Sequence, residues 1–259
     1  MNRRWRHLWT VWLLALAGTL ALFNLRPDLD LAVTAAVHEA AAATPFPLGQ
    51  LAPVQALYHA VPWIGRLGVL LALLLWWRRA TPPRTRRQAA AMALMLVFGL
   101  GLVVNGVLKE QWGRPRPTAV RDFGGPHAFQ PAGRISALCR SNCSFVSGHA
   151  ATGFALAALG LMGTPARRRR WAAIGLGAGL IVGAGRVMQG GHFLSDIIVA
   201  GLVMHGTGLA IRHLWLLQRG RPHRFAAEPT LFPTGTGSSV SSRPSLVHTK
   251  AALSGKTGA

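Results

Sequence analysis

Apolar residues in this chain fall in blocks separated by short arginine clusters, without an amphipathic stripe inside the blocks. The blocks run to roughly 18–20 residues, the length that crosses a ~30 Å hydrocarbon core. They cover residues 8–23, 61–77, 89–108, 150–163, 171–188 and 196–214 and predict six transmembrane helices. The fourth block is short and is expected to begin upstream, near Ser147. Residues 26–60 hold Asp28, Asp30, Glu39 and several prolines, too polar a mixture to span; they read as a loop with one or two interfacial helices. The basic start before the first block admits a cleaved signal peptide. The block is slightly long for that purpose and no clean small-x-small site follows directly, so a retained anchor is preferred. The expected fold class is an all-α polytopic membrane protein. It has an anchor and loop over 1–60, a helical core over 61–215, and a tail over 216–259. The tail is rich in Ser, Thr, Gly and Pro, cannot offset its own ordering entropy, and is expected to be disordered.

Charge sets the sidedness. The chain of 259 residues is 51% hydrophobic, carries only 7 carboxylates and has a formal net charge of +21. A nucleic-acid-binding protein would gather its basic residues on one polar face. Here they sit between apolar blocks, at Arg3-Arg4-Arg6, Arg78-Arg79, Arg84-Arg86-Arg87, Arg167 to Arg170, and Arg219-Arg221-Arg224. That is the distribution of cytoplasmic loops under the positive-inside rule, and it excludes nucleic acid as the partner. One topology satisfies every cluster: six helices with both termini in the cytoplasm. The three remaining loops then face outside.

The residues with chemistry to offer gather at that outside face. Lys109 and Arg116 lie at the end of the third block and in its loop, Ser147-Gly148-His149 at the start of the fourth, and Arg186, His192 and Asp196 at the turn between the fifth and sixth. A phosphate monoester is a dianion whose transition state spreads charge over its equatorial oxygens. Arginine offers it a planar fork and lysine a compact point charge. Lys109 is the only lysine before the tail, and positive residues should be scarce on this side of the membrane. Lys109, Arg116 and Arg186, with the Ser147 hydroxyl and the open backbone at Gly148, form a candidate phosphate cradle. His192 and Asp196, four residues apart, share a face if that segment is helical. A carboxylate taking the Nδ1 proton would leave Nε2 free to attack. His149 is then the candidate acid for the leaving alkoxide.

Other readings of these residues fare worse. His59, His149, His192 and Asp196 offer zinc ligands, but no tight ligand spacing is present and three cations nearby would repel a metal ion. No metal and no cofactor is expected. Gly175, Gly179 and Gly183 recur every four residues, which suits close helix packing and lacks the spacing of a nucleotide-binding loop. Cys139 and Cys143, the only cysteines, lie in an outside loop and read as a short disulfide that stiffens the approach to the site.

Taken together, the three segments resemble the membrane-bound type-2 phosphatidic acid phosphatase (PAP2) superfamily, with its pattern K-x6-R-P, P-S-G-H and S-R-x5-H-x3-D. Lys109 through Arg116-Pro117 is complete. Val146 stands before Ser147-Gly148-His149 in place of Pro, and Gly185 stands before Arg186 in place of Ser. The resemblance covers about residues 60–215. It implies a six-helix bundle, no metal, and a phosphohistidine on His192 oriented by Asp196. His149 would act as acid and then base, and Lys109, Arg116, Ser147, Gly148 and Arg186 would hold the phosphate. The stretch 142–150 is similar to the lipid A phosphatase branch of bacterial members. That implies a site facing the periplasm from the inner membrane, acting on a phospholipid or lipid A-type substrate. A lipid phosphotransferase would use the same first half-reaction, and the residues leave the two open. A vanadium haloperoxidase shares the pattern but not the spans, and a scaffold or transporter would not need both histidines and Asp196. Reporter fusions after Arg87 and Arg170 are expected to report cytoplasm, and fusions near Pro131 the outside; a cytoplasmic signal at Pro131 would invert the topology and the site with it.

Overall fold

A computed structural model describes residues 3–219. Their regular structure is helical, without a β-strand among them, and a long loop over 112–147 holds a single isolated bridge, Val120 to His127. The expected tail over 216–259 lies almost wholly outside the described residues.

Seven helices organise the chain: α1 (Arg3–Leu25), α2 (Asp28–Ala35), α3 (Ala52–Trp77), α4 (Pro83–Gln111), α5 (Gly148–Phe154), α6 (Pro165–Met188) and α7 (Leu194–Arg219). Five of them, α1, α3, α4, α6 and α7, are long and apolar enough to cross a membrane. At 1.5 Å per residue even the 23 residues of α1 reach roughly 35 Å. Their large apolar side chains point outward as well as inward; Leu67, Leu70, Leu71 and Leu74 of α3 are all exposed on its surface. Apolar residues on all sides suit helices whose solvent is lipid.

The spans begin earlier than hydropathy alone places them. α3 starts at Ala52, α4 at Pro83 and α6 at Pro165, each with proline in its first turn. Proline is well suited there, because the first helical N–H groups have no partner in any case. At α6 the Thr164 side chain adds a cap, accepting from the Arg167 N–H at 3.3 Å. Hydropathy marks the lipid-buried middle of such a helix, whereas caps and prolines set its ends. The segment 26–60 accordingly contributes the interfacial helix α2 and a 3-10 turn (Pro47–Gln50), and its last residues already belong to α3.

The fourth block behaves differently from the others. It does start at Ser147, which caps α5, but after Phe154 it tightens into a 3-10 turn (Ala155–Gly160) and ends. At ~1.5–2 Å per residue this piece falls short of a ~30 Å core. It is instead the centre of the bundle. Ala150, Ala151, Ala155 and Ala158 are buried, and α5 packs against α3, α4, α6 and α7.

Small residues make that packing possible. A Cβ on Gly179 would lie 2.3 Å from the Phe154 ring, one on Gly175 2.7 Å from the Ala157 nitrogen, and one on Gly183 2.4 Å from Ile197. The glycine face of α6 therefore seats both α5 and α7, as its four-residue spacing predicts. Gly177, on the opposite face, has open space around it. Gly179→Leu is expected to destabilise the protein by ~1–3 kcal/mol through overpacking, while Gly177→Leu changes little; melting in detergent distinguishes them.

Candidate active site

The ends of α4, α5, α6 and α7 and the loops between them build one polar pocket. Lys109 sits on the last turn of α4 and is buried. The chain then folds back, and residues 136–144 run alongside 109–114. Ser136, Cys139 and Ser144 donate their N–H groups to the carbonyls of Trp112, Gly113 and Arg114, and Cys143 donates to Lys109. Gly113 must be glycine, since its φ is +65° and a Cβ would stand 1.7 Å from the Ser136 oxygen. Cys139 and Cys143 are joined as a disulfide, with Cα atoms 5.7 Å apart. The small loop they close presents the Asn142 carbonyl to Arg116, whose Nη2 and Nε donate to it at 2.8 and 3.2 Å. Asn142 itself, in the left-handed region at φ 50°, gives its N–H to Glu110 at 3.2 Å.

Ser147 links two helices. Its N–H donates to the Asp196 carbonyl at 3.3 Å, and its hydroxyl accepts from the Ala150 N–H at 3.3 Å. Gly148 lies against Asn105 of α4, where a Cβ would stand 2.7 Å from the Asn105 Oδ1 and displace that side chain. His149 projects toward α3, stacking on Tyr58 with ring centroids 5.0 Å apart. Its Nε2 is 3.3 Å from the Tyr58 carbonyl. That carbonyl is available because the residue four positions on is Pro62, which has no N–H to give it. The acceptor is a carbonyl, so Nε2 carries the proton and Nδ1 is the nitrogen left for chemistry.

Arg186, at the last turn of α6, also lies over the Tyr58 ring, at 4.7 Å, and donates to Gln189 through Nη1. Its Nε has no partner. A Cβ on Gly191 would stand 2.2 Å from Arg186 Nη2, so the glycine leaves the space in which the guanidinium lies. Lys109, Arg116 and Arg186 are near enough to act electrostatically on one another and on His149.

His192 occupies a loop between α6 and α7 and is fully buried. The helix begins only at Leu194, so the direct His192–Asp196 hydrogen bond expected from a helical i, i+4 pair is not made. The His192 Nδ1 proton goes instead to the Ser144 carbonyl at 2.7 Å, with Asp196 Oδ2 behind it at 3.7 Å. Asp196 Oδ2 accepts from Ser144 Oγ at 2.5 Å and from the Phe193 N–H at 2.9 Å. The result for the ring is the same tautomer by another route: Nδ1 faces acceptors only, and Nε2 has no partner. Burial pushes the His192 imidazole down to about 3, against the opposing pull of Asp196, so the ring is neutral near pH 7.

Sequence reasoning missed Arg114, Asp30, Ser144 and Tyr58. Arg114 is fully buried and pairs with Asp196 Oδ1 at 2.5 Å and Asp30 Oδ2 at 2.7 Å. One signal pointed to them: a membrane chain with so few carboxylates can bury one only beside a partner. Among the described residues no group of three or more His, Cys, Asp or Glu is placed to hold a metal ion.

A helical membrane protein that gathers three cations, two histidines and a carboxylate at one end of its bundle has the inventory for handling a phosphate ester. The family description that matches, over residues 90–220, is the PAP2 superfamily, and the chain belongs to it. Lipid A 4'-phosphatases are among its relatives. That of Francisella tularensis subsp. novicida (strain U112) is 45% identical over 119 residues, 44% of this chain and 52% of the relative. That of Rhizobium leguminosarum is 44% identical over 108 residues, 41% and 46% of the two chains. The aligned segment spans about half the length of these curated relatives. No solved structure matches.

The Pro62 arrangement makes a structural prediction. Pro62→Ala is expected to give α3 a donor for its own Tyr58 carbonyl, so that hydrogen exchange finds a protected amide at position 62 and melting occurs at or above the wild-type temperature.

Proposed function

We propose that the chain is a lipid phosphatase of the membrane. In this reading it hydrolyses a phosphate monoester or pyrophosphate on a lipid A-type or related lipid, through a phosphohistidine on His192. The observation that carries this is the His192 ring: buried, neutral, with Nδ1–H committed to a carbonyl, Nε2 unpartnered, and Arg186 and Lys109 within electrostatic range. The relatives' names support the lipid A-type substrate.

In the first step His192 Nε2 attacks phosphorus. A P–N bond forms, the P–O bond to the lipid breaks, and His149, which takes a second proton onto Nδ1 when the phosphate dianion binds beside it, gives that proton to the departing alkoxide while Nε2–H stays on the Tyr58 carbonyl. Lys109, Arg116 and Arg186 oppose the charge on the transferring group, and Ser147 and Gly148 line its approach. In the second step His149, now neutral, takes a proton from water as the oxygen attacks phosphorus. The P–N bond breaks, and inorganic phosphate leaves. No step needs a metal. Six crossings, cytoplasmic termini and a periplasmic site in a bacterial inner membrane complete the proposal, and the arginine distribution supports them. The short α5 would then count as the fourth crossing, reaching one face through its flanking loop.

The two histidines separate by experiment. His192→Ala is expected to lose nearly all turnover and to trap no acid-labile phosphate. His149→Ala should lose ~10²–10⁴-fold on lipid, whose alkoxide needs the proton, and much less on nitrophenyl phosphate, whose leaving group does not. Label trapped on His149, or persisting in His192→Ala, would reverse the assignment.

A further inference from the structure

The densest polar cluster in the protein lies one layer behind His192. Arg114 is fully enclosed, and each guanidinium nitrogen has a protein partner. Nε donates to the Gln130 carbonyl at 2.8 Å. Nη1 donates to Ser195 Oγ at 2.8 Å and Asp196 Oδ1 at 2.5 Å, and Nη2 to Asp30 Oδ2 at 2.7 Å. The Phe193 ring lies against the guanidinium, 4.4 Å from its carbon. Asp30 also receives the Ser195 N–H at 2.8 Å on Oδ1 and the Ser195 hydroxyl at 2.6 Å on Oδ2. Every group directed at Asp30 is a donor, which is the surrounding of an ionised carboxylate. Asp30, Ser195 and Asp196 are as fully buried as Arg114.

Asp30 comes from the interfacial helix α2, outside the residues 90–220 that match the family. It is not needed to neutralise Arg114, because Asp196 alone would do that. What it changes is the total. Asp196 with Arg114 is neutral; burial and Asp196 raise the Asp30 carboxyl, Arg114 and Ser195 pull it down, and with Asp30 ionised, as its three donors require, the cluster carries a single net negative charge. That charge reaches His192 through Asp196, on the Nδ1 side of the ring, while Lys109 and Arg186 act on the ring as cations. When Nε2 forms a bond to phosphorus, the imidazole becomes cationic. A neutral pair would leave that cation facing only other cations.

Resting on the phosphohistidine reading above, we propose that Asp30 and Arg114 are positioning residues for the reaction at His192. Arg114 holds Asp196 in place by its fork, and Asp30 returns to the site the negative charge that Arg114 removes. The interfacial helix α2 thereby becomes part of the active site without touching substrate.

Charge arithmetic supplies the test. Asp30→Asn makes the cluster neutral, Arg114→Met leaves two negative charges, and the double variant restores one. Full-length protein in detergent is assayed on p-nitrophenyl phosphate and on lipid A, with melting measured alongside. Each single variant is expected to lose at least ~10-fold in kcat with KM little changed, in the range seen when groups that orient a ligand are removed. The double variant regains the wild-type charge but not the Arg114 fork, and is expected to turn over at least ~10-fold faster than Arg114→Met, a non-additivity that contacting residues show when they act through one quantity. Losses that multiply in the double variant, and follow its melting temperature, would overturn the proposal. Should a single variant not fold, the double variant decides alone: a loss smaller than the ~100-fold product of two independent defects supports the charge role, and a larger loss defeats it. His192→Ala in the same assay keeps the two levels apart. If it is inactive and rescue is absent, the role of Asp30 and Arg114 alone is wrong; if it turns over, the nucleophile is wrong and their role falls with it.

Discussion

The Arg114 guanidinium is the group on which the site depends. A charge enclosed in protein at the edge of a membrane is tolerated only when its donors are matched, and removing one partner of such a pair typically costs ~3–5 kcal/mol. Arg114 meets that condition by drawing on distant parts of the chain: Asp30 from α2, Gln130 from the long loop, and Ser195 and Asp196 from the start of α7. The geometry around His192 follows. Asp196 is held by Arg114, Ser144 is held by Asp196, and the Ser144 carbonyl holds the ring. Each link is a directional hydrogen bond, so the imidazole inherits its orientation from a cation it does not touch.

The other half of the site is organised by a missing donor. Pro62 leaves the Tyr58 carbonyl without its helical partner, and His149 takes the place. The Tyr58 ring then meets two positive or potentially positive groups, His149 stacked on it and Arg186 lying over it. An aromatic face attracts a cation, so the ring holds both near the pocket without the carboxylates that would otherwise compete with a phosphate. Proline is usually read as a fault in a helix, and here it places a catalytic candidate.

Both arrangements rest on the bundle below. α5 is short and rich in alanine, and the glycine face of α6 lets it approach closely. That brings the Ser147-Gly148-His149 turn between the ends of α4 and α7, where longer side chains on either helix would have held it away. Packing in the membrane and chemistry at its surface are thus set by the same small residues.

Much of this was legible along the chain. Hydropathy located the long helices, arginine placement proposed their sidedness, and three local segments held the residues that the fold brings together. Such features are encoded by neighbours in sequence: the length of an apolar run, or the four-residue spacing of Gly175, Gly179 and Gly183. The same local reasoning left open whether His192 and Asp196 share a helix face, and the helix begins only after His192. It also expected a full fourth span where the chain forms a shorter, buried helix. What only the tertiary structure decided is which buried polar groups pair. Asp30 and Arg114 are 84 residues apart, and His149 and the Tyr58 carbonyl 91 apart. No periodicity links such positions. Their pairing is set by burial, which makes an unmatched charge or carbonyl too costly to leave alone and so selects whichever partner the folded backbone brings within reach.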